Sequence, residues 1–324
     1  MAELRYNPIS KDWVMVASHR QNRPQMPKDW CPFCPGPDNA KVPSEGYEVL
    51  RYMNDFPALQ QAPPEPDDVE TGLFKTAPAY GRCEVVLYSD QHRAQLKDLP
   101  DAHVHKLAHL WQDCFCDMKR DPKLEYCFIF ENRGDVVGVT MPHPHGQVYG
   151  YPFVPQKIRD ESANARDYYD ETGRCLFCDC LKDELEDGRR IIFQNESFVV
   201  YVPFFSPITY GVHITARRHL GDLSQMTDGE LEQLGETVRD VAGMYDSLFD
   251  RPFPYMMCMH NAPLNGGQDS YHFHIEFFPP MRSAEKQQFF ASSETGAGAW
   301  CNPTRPEEKA AELQAAYRKF KGMD

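Results

Sequence analysis

The stretch TMPHPHGQVYGYPFVP, residues 140–155, sets His143 and His145 on either side of Pro144 and follows them with Gly146 and Gln147. In extended backbone, residues two apart share a face, so one surface carries both imidazoles and the Gln147 amide. Three polar side chains on one face do not build an apolar core; they suit a metal, a substrate, or both. If the carbonyl of Pro144 accepts from Nδ1 of His145, the Nε2 lone pair is presented as a nucleophile toward a phosphoryl group. Gly146 lets a ligand approach the backbone, and Gln147 can donate to a phosphate oxygen. General-base and purely structural roles are the milder readings of His145.

Two Cys-x-x-Cys pairs, Cys31/Cys34 and Cys175/Cys178, supply the other reactive groups. Tetrahedral zinc takes four sulfur and nitrogen ligands, and a Cys2His2 set closes the shell without an open catalytic position. We assign one site to Cys31, Cys34, His92 and His143, and a second to Cys175, Cys178, His219 and His272. Taking the first histidine of each His-x-His as ligand leaves His145 and His274 over. The remaining seven cysteines read as small buried apolar residues. His103, His105 and His109 read as a solvated helix flank.

The elements that must position these groups recur in one order. Each Cys pair is followed by a strand-like run and a histidine (CEVVLYS and His92; FVVYVPF, GVHITA and His219). A helix comes next: one over 101–118, with Val104, Leu107, Trp111, Phe115 and Met118 on its apolar stripe, and one starting at Thr227. Thr227 and Glu230 have capping-box spacing. Apolar strands YCFIFEN and YMMCMHN then lead to HPHGQVYGYPFVP and HFHIEFFPP. His92 precedes His143 by 51 positions and His219 precedes His272 by 53. The chain therefore reads as an α+β protein of two related halves, 1–165 and 166–324, each a mostly antiparallel sheet with packed helices. The polar, strand-poor run around 160–170 marks the boundary, and 35–80 reads as a long surface loop.

Bulk properties narrow the function. At 324 residues with a net charge of −14, the chain lacks the basic surface that nucleic acid or acidic membranes require. No run of 18 apolar residues suggests a membrane span, and MAELRYNPIS does not resemble a secretory signal. A cytoplasmic location is expected, and there eleven cysteines favour metal ligation over disulfides. Neither a phosphate loop G-x-x-x-x-G-K-[ST] nor a G-x-S-x-G elbow is present.

In this setting HPHGQ, together with NPISKDWVMVASHRQNRPQ, CPFC, NDFPAL, FENRG, HNAP and FFPP in the same order, resembles the galactose-1-phosphate uridylyltransferase family of the histidine-triad superfamily. The resemblance implies two triad-like domains, a homodimer, and transfer of UMP in two steps. UDP-glucose gives a uridylyl-histidine and glucose 1-phosphate; galactose 1-phosphate then takes the UMP to form UDP-galactose. It implies His145 as the nucleophile and Gln147 as the group holding a phosphate oxygen. Asn132, Val139 and Thr140 fall where that family faces the UMP phosphate. Arg20 and Arg23 fall on its arginine segment, Asn54 and Asp55 on its nucleotide-binding loop, and Gln288 and Glu294 near its hexose contacts. Some members build the second metal site from a glutamate and three histidines, which places Glu161 and His260 beside the Cys2His2 assignment and leaves the second metal, zinc, iron or another, open. A Cys2His2 second site resembles instead the branch that acts as an ADP-glucose phosphorylase. That enzyme, and a non-enzymatic zinc-stabilised nucleotide-binding module, are the alternatives to the uridylyltransferase reading.

Overall fold

The computed structural model describes residues 2–22, 30–37, 39, 41–139 and 141–323. Arg23 and Thr140, both singled out above, lie outside the described residues. In the first half come strands β1 (Ala2–Asn7), β2 (Asp12–Ala17), β3 (Leu50–Met53), β4 (Thr76–Pro78) and β5 (Arg82–Leu87). Helix α1 (Asp101–Lys119) leads to β6 (Tyr126–Arg133) and β7 (His145–Tyr151). Helices α2 (Gln156–Thr172) and α3 (Leu176–Asp187) connect the halves. The second half has β8 (Ile191–Gln194), β9 (Phe198–Tyr201), β10 (Val212–Ala216), α4 (Asp228–Leu248), β11 (Tyr255–His260) and β12 (His274–Phe278), and then α5 (Ser292–Ala297) and α6 (Pro306–Lys321).

Nine strands form one antiparallel sheet in the order β3-β5-β7-β6-β11-β12-β10-β9-β8. The triplet β5-β7-β6 is mirrored by β10-β12-β11, so the repeat read in the sequence is a repeat in space. The two halves do not keep separate sheets. They join where β6 pairs with β11, with Asn132 opposite Met256. A second sheet, β2-β1-β4, packs over residues of the 58–83 segment through Leu4, Leu59 and Ala79.

One face of the large sheet carries α1 and α4. The stripe Val104, Leu107, Trp111, Phe115 and Met118 of α1 is buried, as its three- and four-residue spacing requires, and α4 answers with Leu231, Leu234, Val238 and Val241. The two helices cross tightly at Gly235, where a Cβ would lie 2.4 Å from the Val104 carbonyl oxygen, so no larger residue fits. The capping box at Thr227 and Glu230 is formed, each side chain meeting the other's backbone N–H.

Two expectations need correction, on the 35–80 segment and on the α1 histidines. The 35–80 segment is not loop throughout: β3 extends the large sheet and β4 the small one. The strand-poor run at 160–170, as the sequence suggested, holds no strand; it belongs to helix α2, which buries only Ile158 and Ala165. The α1 histidines are tethers more than solvated flank: His103 Nε2 lies 2.7 Å from the Tyr88 carbonyl oxygen and His105 Nε2 2.8 Å from Glu236. No described helix is long and apolar enough to cross a membrane.

Candidate active site and metal clusters

Strand β7 lies inside the sheet between β5 and β6 and begins at His145, directly after Pro144. A proline there costs the ladder no donor. The Pro144 carbonyl is not the partner of His145, because it accepts from the Tyr88 N–H at 3.0 Å. Nδ1 of His145 lies instead 2.8 Å from the carbonyl oxygen of His143. A protonated Nδ1 donating to that carbonyl leaves Nε2 as the basic nitrogen. Gly146 also has a different reason from the one its neighbours suggest. A Cβ on it would lie 2.4 Å from the Tyr88 hydroxyl and 3.1 Å from the Phe130 carbonyl oxygen, so the strand needs glycine to pack. Two positions on from His145, Gln147 shares its face, and the Tyr149 hydroxyl donates to Gln147 Oε1 at 3.2 Å. With its oxygen engaged, Gln147 keeps its NH2 as a donor.

The first Cys pair forms a tight knuckle, with the Cys34 N–H donating to the Cys31 carbonyl and the Asn39 side-chain amide donating to the carbonyls of Pro32 and Cys34. It places Cys31 Sγ 3.7 Å from His143 Nδ1, and Cys34 Sγ 3.4 Å from His92 Nδ1 and 3.6 Å from His143 Nδ1. A tetrahedron built on Zn–S and Zn–N bonds of about 2.3 and 2.0 Å has S···N edges of about 3.5 Å, so the donor set fits the metal. The Nε2–H of His143 donates to the Ser89 carbonyl at 2.7 Å, which fixes the tautomer that offers Nδ1 inward. Burial holds His143 down at about 4, so it stays neutral as a ligand must. Burial, and next the neighbouring Cys31 thiol, push Cys34 up to about 11; a second thiolate beside the first needs a dication to stabilise it.

The second pair is held differently. Cys175 caps α3 and Cys178 lies in its first turn. Cys178 Sγ is 3.4 Å from His219 Nδ1 and 3.2 Å from His272 Nδ1, again tetrahedral edges. His219 Nε2 lies 2.8 Å from the Gln268 carbonyl oxygen. The hydrogen bond between the two thiols dominates their titration, lowering Cys175 and raising Cys178, as expected of a pair sharing one proton that a metal would displace. A third group of donors, Glu161, His260, His274 and Glu276, has ligand atoms within 4.8 Å of one another. It stands beside the Cys2His2 group and does not replace it: His272 faces the cysteines while His274 faces the carboxylates.

The family can now be identified. Residues 1–155 match the N-terminal domain of galactose-1-phosphate uridyl transferase, and residues 161–313 match the C-terminal domain of the same family. The chain belongs to this family. The galactose-1-phosphate uridylyltransferase of Thermotoga maritima is 39% identical over 317 residues, covering 97% of this chain and 98% of that protein. Its counterpart in Haemophilus influenzae is 30% identical, covering 90% of this chain and 87% of that protein. A solved structure described as uridylyltransferase superposes with a TM-score of 0.90 at 33% identity, over 98% of this chain and 99% of that one. An ADP-glucose phosphorylase from Arabidopsis thaliana, solved with bound ADP-glucose, shares the fold at 23% identity, with a TM-score of 0.74 over 97% of this chain and 99% of that one.

The other residues aligned by resemblance to the uridylyltransferase family fall in two groups. Asn132 lies on β6, next to β7, and Val139 in the loop leading to β7. Asn54 and Asp55 follow β3. The Asn54 side chain accepts from the Phe56 N–H, and Asp55 is paired with Lys41 and accepts from the Tyr52 hydroxyl at 2.6 Å. Arg20 sits on the short helical turn Ser18–Asn22. Gln288 and Glu294 form the second group. The Gln288 amide is tied to Thr209 and Pro279, while Glu294 accepts from the Ala291 N–H. Among the described residues neither shares a hydrogen bond with the first half.

Sequence reasoning missed Phe33, whose ring centroid lies 5.9 Å from that of His143 and 6.1 Å from that of His145. Its place between the two cysteines was the available signal. Glu276 was missed too, although the repeat sets it at the position of Gln147.

Proposed function

We propose that the chain is a UDP-glucose:hexose-1-phosphate uridylyltransferase, with galactose 1-phosphate as acceptor, working by a ping-pong mechanism through a uridylyl-histidine at His145. The observation that carries it is the His145 imidazole anchored through Nδ1 to the carbonyl of a metal-site residue, with a Gln147 donor on the same face.

In the first step Nε2 of His145 attacks the α-phosphorus of UDP-glucose. A P–N bond forms, the bond from phosphorus to the bridging oxygen breaks, and glucose 1-phosphate leaves with that electron pair. In the second step an oxygen of galactose 1-phosphate attacks the same phosphorus, the P–N bond breaks, and UDP-galactose departs. The Gln147 NH2 donates to a phosphate oxygen as charge develops there. Asn132, Val139 and Thr140 face the UMP phosphate; Arg20 and Arg23 bind phosphate oxygens; Asn54 and Asp55 bind the nucleoside.

Cys31, Cys34, His92 and His143 hold one zinc ion, and Cys175, Cys178, His219 and His272 a second ion, zinc or iron. Each acts structurally, by fixing the fold around its ligands. The first half, 1–165, carries the nucleophile, and 166–324 carries the second site. The enzyme works in the cytoplasm as a homodimer. Support for self-association comes from the arm that bears Gln288 and Glu294, which exposes Phe289, Phe290 and Trp300.

Intact-protein mass spectrometry after incubation with UDP-glucose, and separately with ADP-glucose, without acceptor, tests this reading. A UMP adduct absent from His145→Ala is expected. An AMP adduct would move the chain to the ADP-glucose chemistry, and no adduct with either sugar nucleotide would overturn the enzyme reading.

A further inference from the structure

The two His-x-His strands differ in ways that matter. On β7 the sequence His143-Pro144-His145-Gly146-Gln147 leaves His145 partly exposed. The matching run ahead of and along β12, His272-Phe273-His274-Ile275-Glu276, buries His274 to 3% exposure. The anchoring bond is kept, with His274 Nδ1 2.9 Å from the His272 carbonyl oxygen. The phosphate-facing amide, however, has become the carboxylate of Glu276, which would repel a phosphate.

Around that carboxylate the third donor group is drawn together. Glu161 Oε2 lies 3.1 Å from His260 Nδ1 and accepts from the Tyr271 hydroxyl at 2.7 Å. Glu276 lies 3.5 Å from His260 Nε2, 3.8 Å from His274 Nε2 and 3.5 Å from His213 Nε2. By donor type and spacing alone this group invites a divalent cation. A cation is already there. Lys157, one turn before Glu161 on α2, hydrogen-bonds Glu276, sits 3.7 Å from Glu161 and lies 5.0 Å from the centre of the Phe278 ring. Half of its side chain is exposed (53%), yet its ammonium reaches inward between the two carboxylates. The ammonium offsets one of the two negative charges and uses carboxylate oxygens that a metal would need. By contrast, no lysine or arginine is hydrogen-bonded or ion-paired to any of the eight Cys2His2 ligands among the described residues.

We propose that the Lys157 ammonium is the resident cation of the Glu161–His260–His274–Glu276 cluster, so that this cluster takes up no metal and the second copy of the nucleophile strand is closed. The lysine does for this half what a bound ion would do, holding α2 to β12 through the Glu276 carboxylate. Removing the ammonium while keeping the carboxylates and imidazoles turns the cluster into a metal site.

The experiment counts metal ions per chain, by elemental analysis and native mass spectrometry, after saturation with Zn²⁺ and desalting. The expected result is one more Zn²⁺ per chain in Lys157→Met than in the wild-type protein, with the extra ion lost again in Lys157→Met/Glu276→Gln. Equal counts in wild type and a folded Lys157→Met would overturn the proposal. Should Lys157→Met fail to fold, wild type is compared with Glu276→Gln. Equal counts are expected, and loss of one ion in that variant would overturn the assignment. Because the result is a difference between variants, it does not depend on how the two Cys2His2 sites fill or on the uridylyl chemistry.

Discussion

Nδ1 of His145 is 2.8 Å from the carbonyl oxygen of His143, whose own Nδ1 faces Cys31 and Cys34. The Cys31–Cys34–His143 cluster and the His145 imidazole are therefore linked through a single residue, His143, and one hydrogen bond. The proposed nucleophile thereby gains its rigidity from the backbone of a proposed ligand residue, with no acid needed to orient it.

His145→Ala removes the proposed nucleophile and leaves the His143 carbonyl that anchors it. UMP transfer is expected to fall by on the order of 10⁴-fold or more, with the thermal unfolding temperature changed little. Retention of the UMP adduct by this variant would locate the nucleophile elsewhere.

Cys31→Ser takes a ligand from the first cluster. The variant should carry one metal ion fewer per chain and unfold on the order of 10 °C lower, the result of losing a few kcal/mol. Calorimetry alongside metal analysis reads both; an unchanged metal count would show that Cys31 is no ligand.

Tyr149→Phe frees Gln147 Oε1, so the amide can turn and lose its donor orientation. Losing one hydrogen bond of this kind corresponds to roughly a 3- to 10-fold drop in kcat/KM. Steady-state kinetics with UDP-glucose and galactose 1-phosphate measure it, and an unaltered kcat/KM would remove Tyr149 from the account.

Glu131, on β6 next to β7, is pushed up to about 7 by burial, against the opposing pull of Arg133 and the hydroxyls of Tyr255 and Tyr88. Between its ordinary value near 4.5 and 7, the folded state therefore holds a proton that the unfolded chain has released. The contribution to stability is complete below pH 4.5 and is lost as pH rises through 7, by about 3 kcal/mol in total. Glu131→Gln keeps an uncharged acceptor for Tyr255. Its stability relative to wild type should rise between pH 5 and pH 8 in denaturant titrations; a pH-independent difference would mean that Glu131 is ionised throughout.

Much of this arrangement was legible because it depends on near neighbours in the chain. The Thr227–Glu230 capping box, the α1 stripe and the Cys-x-x-Cys knuckles are set within a few residues, and the two halves reinforced each other. What was hidden required distant segments to converge. Lys157 and Glu161 sit on a helix whose polar surface masks its period, and nothing in the sequence says that they turn toward Glu276. The acceptor for His145 was misplaced by one residue for the same reason. Pro144 was spoken for by Tyr88, more than fifty positions earlier. Strands β3 and β4 were lost in a segment rich in proline and acidic residues, where only pairing with β5 and β1 defines them.

The seam between β6 and β11 makes the two halves mechanically inseparable. Asn132, proposed to face the UMP phosphate, stands on the strand whose other edge is completed by Met256 and its neighbours. An isolated first half would bare the whole hydrogen-bonding edge of β6, next to the reactive strand, and invite pairing with another chain. The second half, closed to nucleotide by our reading, thus serves the proposed catalytic half as the strand neighbour that half would otherwise lack.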